Sequence, residues 1–305
     1  MSHVVMPMVE FLKTEAPNEE KAVVRKFLET EPFFAAWGFE TRAQSAVPFN
    51  RQEKLASTTS RAVGELYAPS HGVLDPGWEP MKIQGGISPF DVFQMETGDG
   101  NRRQTEAEDF VESVGRNYIK SVFKGDDSTD PREIRGLQLR QTIIGTNLLT
   151  QSAGAATMLQ VHRAIDLCRR PTHIAMGKGL RTRFSVAASD TTVGGYITKG
   201  EDDFGKKVMV IAELPVLVIG EDASDTAILG FTEANDTTSL WILSLLPNMT
   251  HGIQVSPPRA VDLGIDPSNG LRANILMDWK ASFIVRHLRA AVRYENITDI
   301  AVTKE

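Results

Sequence analysis

Apolar residues recur at helical spacing in the segment that follows Thr105. The positions on this stripe are Phe110, Val111, Val114, Tyr118, Ile119, Val122 and Phe123. This spacing predicts an amphipathic helix over residues 105–124, a rod of about 30 Å. Thr105 and Glu108 have the spacing of a capping box, and Gly125 suits a C-terminal cap.

A second apolar pattern, near residue 280, has a period of two. Its apolar positions are Ile275, Met277, Trp279, Ala281, Phe283 and Val285. Strict alternation predicts a long strand with one buried face. Shorter apolar runs predict further strands at 173–176, 208–212, 216–219, 229–233, 240–246 and 290–294. Helices are predicted over 158–168 and 179–188, so the second half of the chain is predicted to be α+β.

Helical periodicity is absent between residues 46 and 100, where prolines and glycines are frequent. A region this long without helical period is either functional or mobile. We predict a long two-stranded excursion with a loop near residues 69–80. Its segment from Val47 to Phe93 is expected to contact a neighbouring subunit and to lie outside the chain's own core. Leu74 and Trp78 are the expected anchors, because large apolar and aromatic side chains dominate interface energetics.

The N-terminal region carries an apolar cluster formed by Phe33, Phe34 and Trp37. It follows a predicted helix over residues 18–39, which Pro32 ends or bends. Two interpretations stay open for the cluster: an arm that docks on another subunit, or packing against its own domain.

Composition narrows the class of protein. The chain has 305 residues, 41% of them hydrophobic, and a net charge of −6. That charge is unlike that of a dedicated duplex-DNA binder. It suits a wall that encloses DNA without sequence-specific binding, and equally the many cytosolic enzymes that share it. No apolar stretch approaches the ~18 residues of a membrane span. The single cysteine, Cys168, lies on the apolar side of a predicted helix, where we expect buried packing.

One segment partly matches a phosphate-binding loop. Residues 200–207 read Gly-Glu-Asp-Asp-Phe-Gly-Lys-Lys, but the final position must be Ser or Thr, and Lys207 stands there. The segment also leads into a predicted strand, whereas a phosphate loop must open a helix. An ordinary charged hairpin is therefore favoured over a soluble nucleotide-binding enzyme that uses Gly200 to Lys207.

Other chemistry is not indicated by the sequence. Residues 126–130 resemble a calcium loop only faintly, because Pro131 occupies the position that needs glycine, and a turn capping the long helix is favoured. The six histidines are scattered and none forms a zinc-protease helix. We therefore expect no catalytic residue, no cofactor and no metal site, and a protein that is not an enzyme.

Three arginines near the C-terminus form a small basic set: Arg286, Arg289 and Arg293. They would contact acidic residues of a neighbouring subunit, or nucleic acid. The alternative is a solvated strand edge that blocks aggregation between sheets.

The order of these parts resembles tailed-bacteriophage major capsid proteins with the Hong-Kong-97-type fold. Local sequence supports the resemblance at residues 123–137, 173–183 and 203–210, with Asp130 and Ile134 departing from the commoner Asn and aromatic residue. The resemblance implies an N-terminal arm (1–45), an extended loop (46–100) and a spine helix (105–124). It further implies a peripheral domain (101–129 and 271–305) and an axial domain (130–270).

The resemblance also implies a function. The expected protein is a major capsid protein that assembles into hexamers and pentamers of an icosahedral shell around the double-stranded DNA of a tailed phage. Its expected partners are copies of itself, with scaffolding, portal and decoration proteins, and no membrane. Its expected location is the virion, after assembly in the host cytoplasm. An encapsulin-like bacterial compartment shell is the alternative with the same fold.

Overall fold

The computed structural model describes residues 5–7, 31–93, 102–144, 147–190, 193–201 and 207–305. The helices of these ranges are α1 (Phe33–Ala36), α2 (Arg102–Lys124), α3 (Leu137–Ile144), α4 (Met158–Leu167) and α5 (Lys178–Ala187). The strands of the first half are β1 (Val5–Pro7), β2 (Gly38–Thr41), β3 (Ala46–Lys54), β4 (Val73–Pro80), β5 (Lys82–Asp91) and β6 (Leu148–Gly154). Those of the second half are β7 (His173–Gly177), β8 (Ile197–Glu201), β9 (Lys207–Ile211), β10 (Leu214–Ile219), β11 (Thr237–Leu243), β12 (Thr250–Gln254), β13 (Arg259–Ile265), β14 (Arg272–Val285) and β15 (Ala291–Thr298).

Helix α2 confirms the long amphipathic helix. It already begins at Arg102, so Thr105 lies inside the helix and the predicted capping box is wrong. Helical spacing places the apolar stripe on one face, where Tyr118 and Phe123 are fully buried. At the C-terminal end Gly125 donates its N–H to the Ser121 carbonyl at 3.0 Å, which continues the helical bonding beyond Lys124.

The first sheet is organised around β14. Its strands lie in the order β1-β2-β12-β14-β13, and β5 pairs with β14 as well. The predicted alternation is confirmed, because Ala273, Ile275, Met277 and Trp279 are buried between partly exposed neighbours. The buried face packs on α2, where the Tyr118 hydroxyl donates to the Ser282 carbonyl at 3.0 Å. This sheet and α2 share the larger hydrophobic core.

The second sheet has seven strands in the order β6-β15-β11-β7-β10-β9-β8. Strands β7 and β10 run parallel, as do β15 and β6, whereas the other pairs are antiparallel. Helices α4 and α5 cover a second core, in which Val161, Leu180 and Phe184 are buried against the sheet. The predicted mixture of helices and strands in the second half is thereby confirmed.

Some elements differ from the sequence-based expectation. Residues 229–233 form no strand, although Leu229 is buried beside Gly177. Strand β5, inside the expected extended loop, pairs with β14 over ten residue pairs from Lys82 onward. Strand β15, assigned to the peripheral part, pairs instead with β11 and β6 of the second sheet. The predicted helix over 18–39 falls mostly outside the described residues, and only α1 lies within them.

Candidate assembly surface

A two-stranded hairpin extends from the first sheet. Strands β3 and β4 pair antiparallel from Ala46 opposite Pro80 to Lys54 opposite Val73, and residues 55–72 connect them. We call β3, β4 and this connection the hairpin, and residues 55–72 its tip. The pairing confirms a two-stranded excursion, here over residues 46–80, but the predicted position of its loop, residues 69–80, is wrong because Val73–Pro80 forms strand β4. Prolines in both strands remove backbone donors, which restricts such strands to sheet edges.

The hairpin is anchored at the end nearest the first sheet, which we call its root. Val47 is fully buried and Phe49 nearly so, and both pack against Ile253 and Ile284. On the other strand the buried Glu79 accepts a hydrogen bond from the Ser282 hydroxyl at 2.8 Å. The root is therefore part of the chain's own fold, which corrects the expectation that the whole of residues 47–93 lies outside the core.

An ion pair reinforces the root. Arg140 Nη2 lies 2.6 Å from Glu79 Oε1, and both side chains are more than nine-tenths buried. The Arg140 guanidinium also lies 4.2 Å from the centroid of the Phe283 ring and donates through Nε to the Arg135 carbonyl. Separating the pair would leave each charge buried and uncompensated, which is costly. The contact therefore holds the hairpin against β14 and α3.

The tip is exposed and carries large apolar side chains. Val63 and Leu66 are almost fully exposed, and Tyr67 is 63% exposed. Arg61 stabilises the tip locally, because it donates to the Glu65 carbonyl at 3.1 Å and its guanidinium lies over the Tyr67 ring. Contiguous exposed apolar groups on a soluble domain mark interaction sites.

Leu74 and Trp78 lie on β4 and are 58% and 70% exposed. Their spacing places them on one face of the strand, because side chains alternate with a period of two. They are therefore available to a neighbour, and their role as intersubunit anchors stays a prediction.

The N-terminal aromatic cluster is inside the chain's own core. Phe33, Phe34 and Trp37 are each at most 1% exposed. Trp37 Nε1 donates to the Tyr118 hydroxyl at 3.2 Å, and the Phe33 ring stacks on Trp37. In this structure these side chains have no surface to present to another subunit, so the interpretation as packing against their own domain is the one observed.

The three C-terminal arginines are engaged within the chain. Arg293 pairs with Glu233 at 2.9 Å and is largely buried, and Arg289 donates to the Leu167 carbonyl. Arg286 is part of a charge cluster around Glu40, with their nearest atoms 3.1 Å apart. Arg286 and Arg293 thus pair with carboxylates of their own chain, whereas Arg289 is exposed and donates to backbone carbonyls. Contact of this basic set with a neighbouring subunit or nucleic acid stays a prediction.

Glu40 is the centre of that cluster and is almost completely buried. Burial alone would raise the pKa of its carboxyl, but hydrogen bonds from His251 and Arg42 outweigh burial and lower the pKa to about 2. Burial also lowers the pKa of His251 below its ordinary value. The cluster joins β2, β12 and the end of β14 electrostatically.

A cleft lies beside the hairpin root, with a volume of about 200 Å³. Its charged lining is formed by Arg51, Lys82, Asp127 and Arg135, together with the Glu79–Arg140 pair. Sequence reasoning missed this cleft, because its residues come from three separated segments and no spacing connects them.

The segment that partly matches a phosphate-binding loop, residues 200–207, begins in strand β8 and ends in strand β9. Strands β8 and β9 pair antiparallel, with Gly200 opposite Val208 and Glu201 opposite Lys207. Lys207 begins a strand and not a helix, which confirms the charged-hairpin interpretation and removes the helix N-terminus that phosphate binding requires. Residues 202–206 lie outside the described part of the chain.

Asp126 confirms the predicted turn after the long helix, since its carboxylate accepts hydrogen bonds from Ser128 and Thr129. Among the described residues no cluster of His, Cys, Asp and Glu could hold a metal ion.

Cys168 is buried, and burial raises the pKa of its thiol to about 12, which keeps it un-ionised near neutral pH. Within the same ranges no helix is long and apolar enough to span a membrane.

No family model and no curated protein sequence matches the chain. Solved structures do match its fold. The SrpI encapsulin of Synechococcus elongatus PCC 7942 has a TM-score of 0.65 and 10% identity, and the match covers 97% of both chains. The capsid of a native GTA particle has a TM-score of 0.60 at 10% identity, covering 84% of this chain and 86% of the other.

A phage capsid gives a similar result. The structure from Microbacterium phage Oxtober96 has a TM-score of 0.61 at 11% identity, covering 87% of this chain and 89% of the other. The fold is thus one shared by the shell proteins of phage capsids and encapsulins. More specifically, the chain has the Hong-Kong-97-type capsid fold, as the order of its parts implies.

Proposed function

We propose that this chain is the major capsid protein of a tailed phage. It self-assembles as hexamers and pentamers into an icosahedral shell around double-stranded DNA. The observation that carries the proposal is the hairpin, whose root is built into the core while its tip exposes Val63, Leu66 and Tyr67 to solvent. Such a tip is explained if a neighbouring copy covers it, and symmetric assembly supplies that copy.

The two sheets provide the proposed domains. The sheet around β14, together with α2, corresponds to the peripheral domain, and the seven-stranded sheet corresponds to the axial domain. The hairpin corresponds to the extended loop, which would then comprise residues 46–80 and not 46–100. This division places β5 in the peripheral domain and β15 in the axial domain.

The proposed work of the protein is mechanical and not catalytic. Many modest interfaces between copies, repeated across the shell, hold the particle together. The net charge of −6 limits adhesion of packaged DNA to the wall. Scaffolding, portal and decoration proteins are the further proposed partners, and the proposed location is the virion, after assembly in the host cytoplasm.

Electron microscopy of the expressed protein tests the proposal. The full chain is produced alone and together with any scaffolding protein encoded beside it, and the product is examined by negative stain and light scattering. We expect closed shells or rings of capsomers. A stable monomer under all of these conditions would overturn the proposal.

An encapsulin-like compartment shell is the second candidate, supported by the match that covers 97% of both this chain and the SrpI encapsulin. Particles from the native source separate the two candidates. Particles that contain DNA, together with portal protein found by mass spectrometry, support the phage capsid. Particles without DNA that enclose a cargo enzyme support the encapsulin-like shell.

A further inference from the structure

A group of basic side chains lies where the hairpin meets the C-terminal end of α4. Strand β3 and the turn between β14 and β15 touch at Gln52 and His287. Arg169 Nη1 lies 2.7 Å from His287 Nε2 and 3.4 Å from Gln52 Oε1. The Arg289 guanidinium donates to the carbonyls of the last two residues of α4. We call Arg169, His287 and Arg289 the basic triad.

The two guanidinium groups of the basic triad lack a counter-charge. Within the described residues, Arg169 and Arg289 contact amide, imidazole and backbone groups but no carboxylate. Asp166 accepts from Arg289 through its carbonyl oxygen and not through its side chain. The C-terminus of a helix carries only about half an elementary negative charge. Most of the positive charge of the two arginines is therefore left uncompensated by their contacts.

His287 is neutral in this surrounding. Its pKa is lowered, first by burial and then by the charges of Arg169 and Arg289. Near pH 7 its imidazole therefore offers one N–H donor and one acceptor nitrogen.

Both ring nitrogens of His287 face donors. The Arg289 backbone N–H donates to Nδ1 at 2.9 Å, while the Arg169 guanidinium lies at Nε2. Because the backbone fixes the contact at Nδ1, Nε2 carries the proton. An N–H of Arg169 and the N–H of His287 then meet without an acceptor between them. Leaving part-buried donors unpaired is costly, so an acceptor that binds both of them would stabilise the site.

The charge of the site favours a phosphate group as that acceptor. Arg169 and Arg289 supply two positive charges, and the exposed Arg170 directly follows Arg169. A single carboxylate would leave the site positive, whereas a phosphate dianion, or successive phosphates of a nucleic acid, would balance it. The planar fork of arginine also matches pairs of phosphate oxygens.

We propose that the basic triad is a binding site for a phosphate group, in which Arg169 and the Nε2–H of His287 donate to one anion and Arg289 adds its charge beside them. In the proposed shell this phosphate belongs to the enclosed DNA, and free phosphate has the same chemistry. The role of DNA rests on the proposed function, whereas the phosphate site itself does not. Phosphate contacts carry no sequence information, in agreement with enclosure of DNA without sequence-specific binding.

The site differs from the basic set expected from the sequence. Arg286 and Arg293 pair with Glu40 and Glu233, so Arg289 is the member of that set that belongs to the site. Arg169 joins it from α4, a segment that local sequence does not connect with the C-terminal arginines.

Binding of duplex DNA by the full, unassembled chain tests the site. A fluorescent duplex is titrated at several salt concentrations, and its anisotropy is measured. Arg169→Gln and Arg289→Gln should each weaken binding about tenfold and make the slope of log affinity against log salt shallower by about one. Arg181→Gln, an exposed change of the same charge on α5, is the control and should alter neither quantity.

Arginine footprinting needs no substitution and therefore does not depend on the folding of a variant. The unmodified chain is treated with phenylglyoxal alone, with the duplex, or with inorganic phosphate, and the modified arginines are located by mass spectrometry. We expect both ligands to protect Arg169 and Arg289, while Arg181 reacts equally throughout.

The outcomes separate the sources of phosphate. Protection by the duplex supports the site with DNA as the source, and protection by inorganic phosphate alone supports it with free phosphate as the source. Protection by neither ligand, or equal duplex affinity for the unmodified chain and both variants, would overturn the site. Variants that lose shells but bind the duplex normally would also overturn it, because the triad would then receive a carboxylate of a neighbouring copy.

The outcomes also separate the site from the proposed function. A chain that binds phosphate through the basic triad but forms no shells would overturn the proposed function and leave the site in place. Normal shells from a chain whose triad binds no phosphate would overturn the site alone.

Discussion

Glu79 and Arg140 form a buried ion pair, with 2.6 Å between Oε1 and Nη2, that fastens the hairpin to the body of the chain. The pair joins a strand of the hairpin to helix α3, and Ser282 of β14 donates to the same carboxylate oxygen. The segment proposed to contact a neighbour is thus attached to the body of the chain at a buried point.

The first prediction concerns this pair. Glu79→Gln leaves the Arg140 charge buried without a counter-charge, and we expect the free energy of unfolding to fall by about 3 kcal/mol. Urea denaturation followed by circular dichroism measures the change. Glu221→Gln is the control, because Glu221 pairs with Lys178 in a far more exposed position, and it should cost less than about 1 kcal/mol. Equal losses for the two variants would contradict the prediction.

The second prediction concerns Glu40 and pH. The pKa of its carboxyl is about 2 in the folded chain against an ordinary value of 4.5, so the unfolded chain binds the proton more readily between these values. The stabilisation from ionised Glu40 is therefore fully present above pH 4.5 and is lost as pH falls towards 2. From the size of the shift, this contribution is on the order of 3 kcal/mol.

Comparison with Glu40→Gln isolates the contribution of Glu40. The difference in unfolding free energy between the unmodified chain and the variant should shrink as pH falls from 4.5 to 2. Glu31 has a pKa raised to about 6, mainly by burial, and acts in the opposite direction between pH 4.5 and 6. Its effect is common to both proteins and cancels. A difference that does not change with pH would contradict the assignment.

The third prediction concerns the tip. Replacing residues 55–72 with Asn-Gly joins Lys54 to Val73, which are already paired, through a two-residue hairpin turn. We expect a soluble chain whose melting temperature changes by no more than about 3 °C, because the tip adds nothing to the described core, and no shells. A control that replaces only Val63, Leu66 and Tyr67 by Ser should also fail to assemble. Loss of soluble folding would show that the tip supports the fold, and normal shells would show that it is dispensable.

The fourth prediction concerns Cys168. Burial raises the pKa of its thiol to about 12, so neither access nor ionisation favours reaction. We expect no labelling by iodoacetamide at pH 8 in the native protein and complete labelling in guanidinium chloride, as measured by mass spectrometry. The variant Trp78→Cys provides the exposed control and should gain one label in the native state. Rapid native labelling of Cys168 would show that α4 opens locally.

Sequence patterns predicted the elements whose periodicity follows directly from burial. The apolar positions from Ile275 to Val285 alternate because one face of β14 rests on α2, and the stripe that includes Tyr118 repeats because α2 rests on β14. A two-stranded excursion was predicted within residues 46–100, because proline and glycine exclude helix there. Its observed bounds, 46–80, and its connection at 55–72 were not predicted, and Leu74 and Trp78 lie on the paired strand β4.

The partners of these elements could not be predicted, because pairing depends on contacts distant in sequence. Nothing local in Ala291–Thr298 distinguishes pairing with β14 from the observed pairing with β11. An apolar run over residues 229–233 suits a strand, yet the segment packs as a turn in which the Leu229 carbonyl lies against Gly177. Trp37 is buried against Phe33 and Phe283 and donates a hydrogen bond to Tyr118, and local sequence gives no signal for the two distant partners, Tyr118 and Phe283.

Because the hairpin is anchored at its root, a small change of angle there produces a larger displacement at its far end. The nine residues of β3 span about 30 Å, so a tilt of about 10° at the root displaces the far end by about 5 Å. A small rearrangement around Glu79 is thereby amplified at the tip, while the core beneath it stays unchanged. In the proposed shell, copies that differ in this angle would build particles of different curvature, and that curvature would then depend on a few side chains at the root.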